Sequence, residues 1–492
     1  MRRAITLLLL LCLLSGCAGR PAVSLDPAPS TTPTPLIPVE AAVTQEPLLP
    51  VPAATETPTA VPPAGEASRY FLQAILDLET HAVTVRERID HPNLTGAPLQ
   101  ELWLAVEPNH RQGCLSLDAI QVDGTEIPPP GLDGHRLIVP LARDLTPGAR
   151  VELVLEYRLS LPPADNGQVF GHTALQTSLV DWYPFVVPYD PQQGWLLHDP
   201  SGVGEHLVFD PAELELDLRV VGSAQPPVVA ASVPGQFDGM DWHYQATGMR
   251  SFALAVSPSF RTETLMVGDI PVTSYFYSSE EAAGRVALQA AARALAVFQE
   301  HFGPYPYPSL GVVESTFFDG MEYDGLFFLS RSFYQEYDGT VLNDLIDIAV
   351  HETAHQWWYG AVGNDQALEP WLDEALSTYS ESLFYEQIYP SVTAWQAFRI
   401  DAYSPAGNVD STIYQLSAFR LYADAVYLRG ALFLQELRRS IGDEAFAAFL
   451  RDYAAQMAGR RASGGDFFRI LRGHTDADLA PLTGRYFQGG YP

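Results

Sequence analysis

The chain of 492 residues contains no lysine, so all 28 of its basic side chains are arginines, and they stand against 59 acidic ones. Without lysine the protein cannot form a lysine Schiff base, use a lysine general base or supply the lysine of a nucleotide-binding P-loop. The formal net charge of −31 argues against a nucleic-acid-binding surface, because phosphates require a basic face. Hydrophobic residues make up 47% and charged residues 18% of the sequence, which is typical of a globular protein.

The N-terminus carries the pattern of an export signal. Arg2 and Arg3 precede an apolar segment over residues 4–14, which is too short to span a bilayer. The residues that follow end at Cys17 and resemble the bacterial lipobox, which predicts a signal peptide over 1–16 and lipidation of Cys17. An ordinary signal peptide with a chance cysteine is the alternative. We therefore expect an exported protein, lipid-anchored to the extracytoplasmic face of a bacterial membrane.

Cysteine is scarce, and proline is concentrated in one segment. Signal cleavage would remove Cys12 and lipidation would use Cys17, so only Cys114 would remain and no intrachain disulfide is expected. Residues 18–68 contain twelve of the 40 prolines and no aromatic residue. Such a composition cannot build a core, so residues 17–68 are predicted to be a disordered tether.

Beyond the tether, the hydrophobic pattern divides the chain in two, and we predict an α+β multidomain fold. Residues 69–262 show short alternating segments separated by Pro and Gly turns, which predicts an all-β domain. Residues 263–492 show mainly helical periodicity, with a long amphipathic helix over 280–301 and a short strand over 310–314. The clearest strands predicted in the first part are Val83–Val85, Leu137–Val139, Val151–Leu155 and Leu214–Leu218.

The pattern H-E-x-x-H begins at His351 and predicts a metal site. Apolar residues upstream indicate a helix that continues to about Gly360, which places His351 and His355 one turn apart on the same face. Zinc catalysis requires a third protein ligand, and Glu374, on a helix predicted over 370–388, can complete the set. Glu352 lies about 100° round the helix from His351, so it borders the metal and need not bind it.

Three further segments carry a resemblance to a known family. Residues 371–375 (WLDEA) resemble the W-L-[ND]-E-[GA] segment of the M1 zinc aminopeptidases, residues 319–323 (DGMEY) resemble their G-[AG]-M-E-N signature, and residues 426–431 (VYLRGA) resemble their V-Y-x-K-G-A segment. The resemblance implies a saddle-shaped β domain followed by a thermolysin-like catalytic domain. It also implies one Zn²⁺ per chain and a metallopeptidase that removes N-terminal residues from peptides. Together with the export signal, this predicts activity at the cell envelope.

The resemblance assigns roles to individual residues. Glu352 is implied to be the general base and Tyr427 to donate a hydrogen bond to the oxyanion. Glu322 is implied to hold the α-ammonium of the substrate, with Met321 and Gly320 beside it in the substrate-binding segment. Peptides and the membrane are therefore the expected partners.

The sequence departs from the family pattern in two places and leaves alternatives open. The signature ends in Tyr323 rather than Asn, and the chain stops about 65 residues after Tyr427, without the large helical C-terminal domain of many members. A more open substrate site is implied. The alternatives are a zinc endopeptidase or related zinc hydrolase using the same site, and a non-catalytic surface binding protein. No residue of the β domain is assigned as a second contact to the substrate amino group, although Gln176 lies in a plausible region.

Overall fold

The structure, a computed structural model, describes residues 67–164, 168–392 and 405–491. A β-rich N-terminal region precedes a mainly helical part, as the hydrophobic pattern predicts, and all four of the strands named from the sequence are confirmed. The largest sheet is centred on Ser68–Asp77, where alternate residues such as Leu72 and Leu76 are buried. Its strands, in order across the sheet, are Gln236–Phe237, Trp242–Met249, Ala212–Val221, Ser68–Asp77, Ala82–Pro92, Arg150–Ser160, Leu115–Val122 and Thr125–Ile127.

Smaller sheets complete the N-terminal region. One four-stranded sheet packs its short strands in the order Val228–Ala231, Leu254–Ser257, Thr177–Leu179 and Gly171–His172. A second has the order Phe185–Val186, Leu99–Ala105, Arg136–Leu145 and Leu132–Asp133. Tyr189–Asp190 and Gly194–Trp195 form a hairpin, and Glu107–His110 forms a single 3₁₀ turn.

Glu87 is a fully buried carboxyl on the strand Ala82–Pro92. The hydroxyl of Tyr157 donates to its Oε2 at 3.0 Å, while Oε1 has no hydrogen-bond partner among the described residues. Burial therefore raises the pKa of Glu87 well above its ordinary value and favours the protonated form in the folded protein.

We expect Glu87→Gln to raise the free energy of unfolding by about 1–3 kcal/mol at neutral pH. Because the pKa of Glu87 is higher folded than unfolded, its contribution to stability is complete below the unfolded pKa and declines as pH rises. Glutamine does not ionise, so the advantage of the variant should grow between about pH 5 and pH 7. Urea unfolding at both pH values measures this, with the exposed Glu126→Gln as control. An advantage that does not change with pH would contradict the prediction.

A five-stranded sheet leads into the helical part. Its strands, in order across the sheet, are Phe260–Val267, Ile270–Tyr277, Leu310–Ser315, Leu326–Ser330 and Gly320–Tyr323. The strand predicted over 310–314 is therefore confirmed. Gly320–Tyr323, which lies within the motif at 319–323, forms an edge strand that runs antiparallel to Leu326–Ser330. The boundary predicted between residues 262 and 263 falls inside Phe260–Val267, and the division into two domains stays a prediction.

The described helices of the second part are α1 Glu281–Phe302, α2 Arg331–Glu336, α3 Asp344–Ala354, α4 Trp371–Ile388, α5 Phe419–Tyr422, α6 Arg429–Ile441, α7 Asp443–Met457, α8 Gly464–Leu471 and α9 Ala480–Tyr486. They pack around α1, the long helix predicted from the sequence, whose alanines and leucines form its buried face. Helix α1 packs against α3, which carries the H-E-x-x-H pattern, and α3 packs against α4. A π-helix, Ala423–Leu428, joins α5 to α6. None of the helices within the described residues has the length and apolar character needed to cross a membrane.

Candidate active site

Helix α3 begins at a conventional cap and ends earlier than predicted. The side chain of Asn343 accepts a hydrogen bond from the amide of Ile346 at 3.1 Å, which satisfies one free donor of the first turn. The helix was predicted to continue to about Gly360, and this was wrong, because it ends at Ala354. Beyond that residue the backbone bonds become irregular: the amide of Trp357 donates three residues back, to Ala354, and the amide of Gly360 donates five residues back, to His355, both at 2.9 Å. The two histidines therefore lie at the end of the helix, where the chain turns.

Three metal-ligating side chains converge between α3 and α4. The Nε2 atoms of His351 and His355 lie 3.0 Å apart. Oε2 of Glu374 lies 3.3 Å from the first and 3.4 Å from the second. All three side chains are buried, and their ligand atoms lie within 4.8 Å of one another. The structure thus brings together the three predicted donor residues, which are called the donor set below. His351 and Glu374 are 23 positions apart in the chain.

Neighbouring polar groups orient both imidazoles. Glu381 accepts from Nδ1 of His351 at 2.9 Å, and the carbonyl of Trp358 lies 3.0 Å from Nδ1 of His355. Such contacts fix each ring so that its Nε2 faces the space between the three donor side chains, where a metal would be held. Sequence reasoning missed Glu381, although it lies seven residues after Glu374, two turns along the same face of α4. The spacing of seven residues between Glu374 and Glu381 could have indicated that both face the histidines.

The charges around the donor set suit a divalent cation. Burial opposes protonation of His351, yet Glu374 and Glu381 outweigh it and raise its pKa to about 10. For His355, burial is likewise outweighed by Glu322 and Glu374, and the pKa rises to about 10. The carboxylates thus favour positive charge between these side chains. Two imidazoles and a carboxylate are a common zinc set that leaves a fourth position open, so the residues present fit zinc.

Glu352 faces the same space from α3. Its side chain is buried, and its Oε2 has no hydrogen-bond partner among the described residues. Burial and the neighbouring carboxylates, Glu322 among them, raise its pKa well above the ordinary value. Gly320 gives it room, because a Cβ at that position would lie 2.1 Å from Oε1 of Glu352. The edge strand and the candidate base are therefore in direct contact.

Glu322 lies on the edge strand with its side chain in the same cleft. It is 6% exposed, and Nε2 of Gln366 donates to its Oε1 at 3.3 Å. One of its carboxylate oxygens also lies within 4.8 Å of a carboxylate oxygen of Glu352 and of a ring nitrogen of His355. Glu322 and Glu352 therefore border the same space. Met321 and Glu322 line a cavity of about 350 Å³ next to the donor set.

Tyr427 reaches the donor set from the π-helix. Its hydroxyl donates to Oε1 of Glu374, and its ring stacks on His351 with centroids 5.8 Å apart and planes 7° apart. Because π-helices often occur at functional sites, the irregular backbone here agrees with the predicted role. The structure thus places Tyr427 next to the metal ligands.

Gln176, considered from the sequence as a second contact to the substrate amino group, stands apart from this cluster. Oε1 of Gln176 accepts from the hydroxyl of Tyr277 at 2.6 Å, and its Nε2 donates to Ser178 at 3.0 Å. Gln176 is thus engaged by neighbouring side chains and is not among the residues that line the cavity beside Glu322. Cys17, the predicted lipidation site, lies outside the described residues.

The sequence is similar to known peptidases. A sequence model described as the Peptidase family M1 domain matches residues 286–486. The chain is 24% identical over 299 residues to Aminopeptidase M1-A of Oryza sativa subsp. japonica, and 23% identical over 232 residues to Leucyl aminopeptidase of Saccharolobus solfataricus. The matches cover 57% and 42% of this chain but 34% and 29% of the relatives. The matched part therefore spans about a third of the length of those relatives.

Solved structures share the fold over most of the chain. The M1 zinc metallopeptidase of Deinococcus radiodurans matches with a TM-score of 0.63 at 20% identity, covering 87% of this chain and 95% of that one. A variant of a two-domain M1 zinc metallopeptidase bound to L-arginine matches with a TM-score of 0.65 at 20% identity, covering 87% and 94%. At these identities the likeness shows a common fold.

Proposed function

Since a model of the Peptidase family M1 domain matches residues 286–486, we propose that the chain is a member of this family and an aminopeptidase with one Zn²⁺ as its cofactor. It would remove N-terminal residues from peptides. The observation that carries the proposal is the meeting of the donor set, Glu352 and Glu322 in one buried cleft. A metal site alone requires neither an unpartnered carboxylate beside it nor a second carboxylate on an adjoining edge strand.

His351, His355 and Glu374 would hold the zinc, which supplies Lewis acidity toward the scissile carbonyl and the attacking water. Glu352 would take the proton from that water at its free Oε2 and pass it to the leaving amine. The hydroxyl of Tyr427 would turn from Glu374 to the oxygen on which negative charge develops.

Glu322 would limit cleavage to the first peptide bond. A carboxylate that binds a free α-ammonium fixes the N-terminus at one distance from the metal, so only the adjacent bond reaches Glu352. Gln366 would keep the Glu322 carboxylate oriented through its hydrogen bond at 3.3 Å. This arrangement favours aminopeptidase over endopeptidase action.

We expect Glu322→Gln to lower kcat/KM for substrates with a free N-terminus by about tenfold to a hundredfold, because it removes a charge-assisted hydrogen bond. Zinc content should remain at one per chain, since all three donors are unchanged. Steady-state kinetics on an aminoacyl amide and on its N-acetylated form measures the effect. The acetylated substrate should be poor for the wild type and no worse for the variant. Equal cleavage of both substrates by the wild type would instead identify an endopeptidase.

We also propose that the protein is exported and anchored to the membrane through lipid on Cys17, as the N-terminal pattern of residues 1–17 predicts. Cys17→Ser should abolish incorporation of an alkyne-labelled fatty acid when the full chain is expressed in bacteria, while Cys114→Ser should leave it unchanged. Labelling that persists in Cys17→Ser would contradict the assignment.

A further inference from the structure

The cavity beside Glu322 is lined by more carboxylates than the proposed reaction uses. Asp181 and Glu205, from loops of the N-terminal region, share its wall with Glu322 and Glu107. Oδ1 of Asp181 is buried and has no hydrogen-bond partner among the described residues. Glu205 lies close enough to Glu322 for mutual repulsion. The wall thus holds more carboxyl groups than the α-ammonium of one substrate could pair with.

Two of the basic side chains that line the cavity have partners other than Asp181 and Glu205. His206 and His110 line the cavity, but His206 is paired with Glu107 at 3.2 Å. Arg111 also lines the cavity, and its guanidinium donates to the carbonyl of Pro163 at 3.3 Å. Within the described residues, neither Asp181 nor Glu205 forms an ion pair with a basic side chain.

The pKa shifts agree with this charge balance. Burial, followed by repulsion from Glu107 and Glu322, raises the pKa of Asp181 to about 8. Burial, followed by repulsion from Glu322 and Glu374, raises the pKa of Glu205 well above its ordinary value. Both groups therefore gain from a cation brought into the cavity.

We propose that this cavity receives the side chain of the N-terminal residue and selects a cationic one, arginine or lysine, through Asp181 and Glu205. The proposal rests on the aminopeptidase function proposed above and adds its substrate class. With the α-ammonium on Glu322, a neutral side chain would bury the other carboxyls without a partner, and an acidic one would add a like charge. A guanidinium or ammonium supplies several charged donors for these acceptors.

Pairs of aminoacyl amide substrates with matched shape test the charge requirement. Citrulline has the shape of arginine without its charge, and norleucine matches the aliphatic part of lysine. For the wild-type zinc enzyme, kcat/KM should be at least about tenfold higher for arginine than for citrulline, and for lysine than for norleucine. Glu205→Gln and Asp181→Asn should each lower kcat/KM for the cationic substrates about tenfold and change that for norleucine less than about threefold.

The outcomes separate this proposal from the one on which it rests. The control variant Glu126→Gln alters an exposed residue and changes the net charge by the same amount. It should leave the arginine-to-citrulline and lysine-to-norleucine ratios of kcat/KM unchanged. If the wild type cleaved the citrulline and arginine substrates equally fast, the charge selection would be overturned and the aminopeptidase function would stand. If it cleaved no aminoacyl substrate, the aminopeptidase function itself would be overturned. An equal loss for all substrates in Glu205→Gln would place Glu205 at the α-ammonium and also overturn the proposal. If a variant does not fold, the wild-type ratios still decide.

Discussion

The double variant His351→Ala, His355→Ala is expected to bind no zinc and to lose hydrolysis of aminoacyl amides by about ten-thousandfold or more. Two of the three donors are removed, and a single carboxylate, Glu374, cannot hold the ion at micromolar concentration. Because the zinc supplies the Lewis acidity, the loss should appear in kcat, and substrate concentration should not restore it. Metal analysis of the purified protein and steady-state kinetics measure the two effects.

The same variant should also be less stable, which gives a readout independent of activity. A metal that binds only the folded state adds its binding free energy to the free energy of unfolding, so chelator should lower the Tm of the wild type and not that of the variant. His243→Ala, at an exposed histidine in the N-terminal region, serves as the control and should keep one zinc per chain. Stoichiometric zinc in the double variant would refute the ligand assignment.

The convergence of the three donor side chains agrees with the sequence because local patterns indicate each of them. His351 and His355 share a helix face by their spacing, and the cap at Pro370 places Glu374 in the first turn of α4. The alternation of apolar residues likewise predicts the long strands of the N-terminal region. These features depend on residues close together in the chain, where period and capping operate.

Features that depend on distant contacts could not be predicted in this way. The edge strand Gly320–Tyr323 exists because Leu326–Ser330 pairs with it, and its four residues are too few to show a period. Asp181 and Glu205 meet Glu322 only because three separate loops and strands border one cavity. No local pattern distinguishes these carboxyls from the exposed ones of a strongly acidic chain, whereas burial in the folded structure does.

The early end of α3 has a similar cause. Gly360 is a residue type that often ends helices, yet here it has another reason to be glycine. A Cβ at that position would lie 2.4 Å from the hydroxyl of Tyr307, and Arg250 donates to its carbonyl at 2.9 Å. The turn after Ala354 is therefore held by residues far away in sequence, which helix-stop rules do not include.

Tyr427→Phe is expected to lower kcat about a hundredfold or more at saturating zinc, while the Tm changes little. The substitution removes one oxygen and keeps the ring, so the stacking on His351 is retained. A hydrogen bond to an oxygen that becomes charged only in the transition state contributes to kcat and little to substrate binding. Steady-state kinetics with zinc titration and thermal unfolding measure these effects.

Zinc titration is needed because the hydroxyl of Tyr427 also donates to Glu374. If its role were only to orient that ligand, the variant would bind zinc more weakly and excess zinc would restore kcat. Tyr422 is not a neutral control, since its ring lies 5.5 Å from that of Tyr427. Tyr244 is suitable, because it is buried in the N-terminal region and its hydroxyl has no partner among the described residues. Full recovery by zinc in Tyr427→Phe, or an equal loss in Tyr244→Phe, would remove Tyr427 from the chemical step.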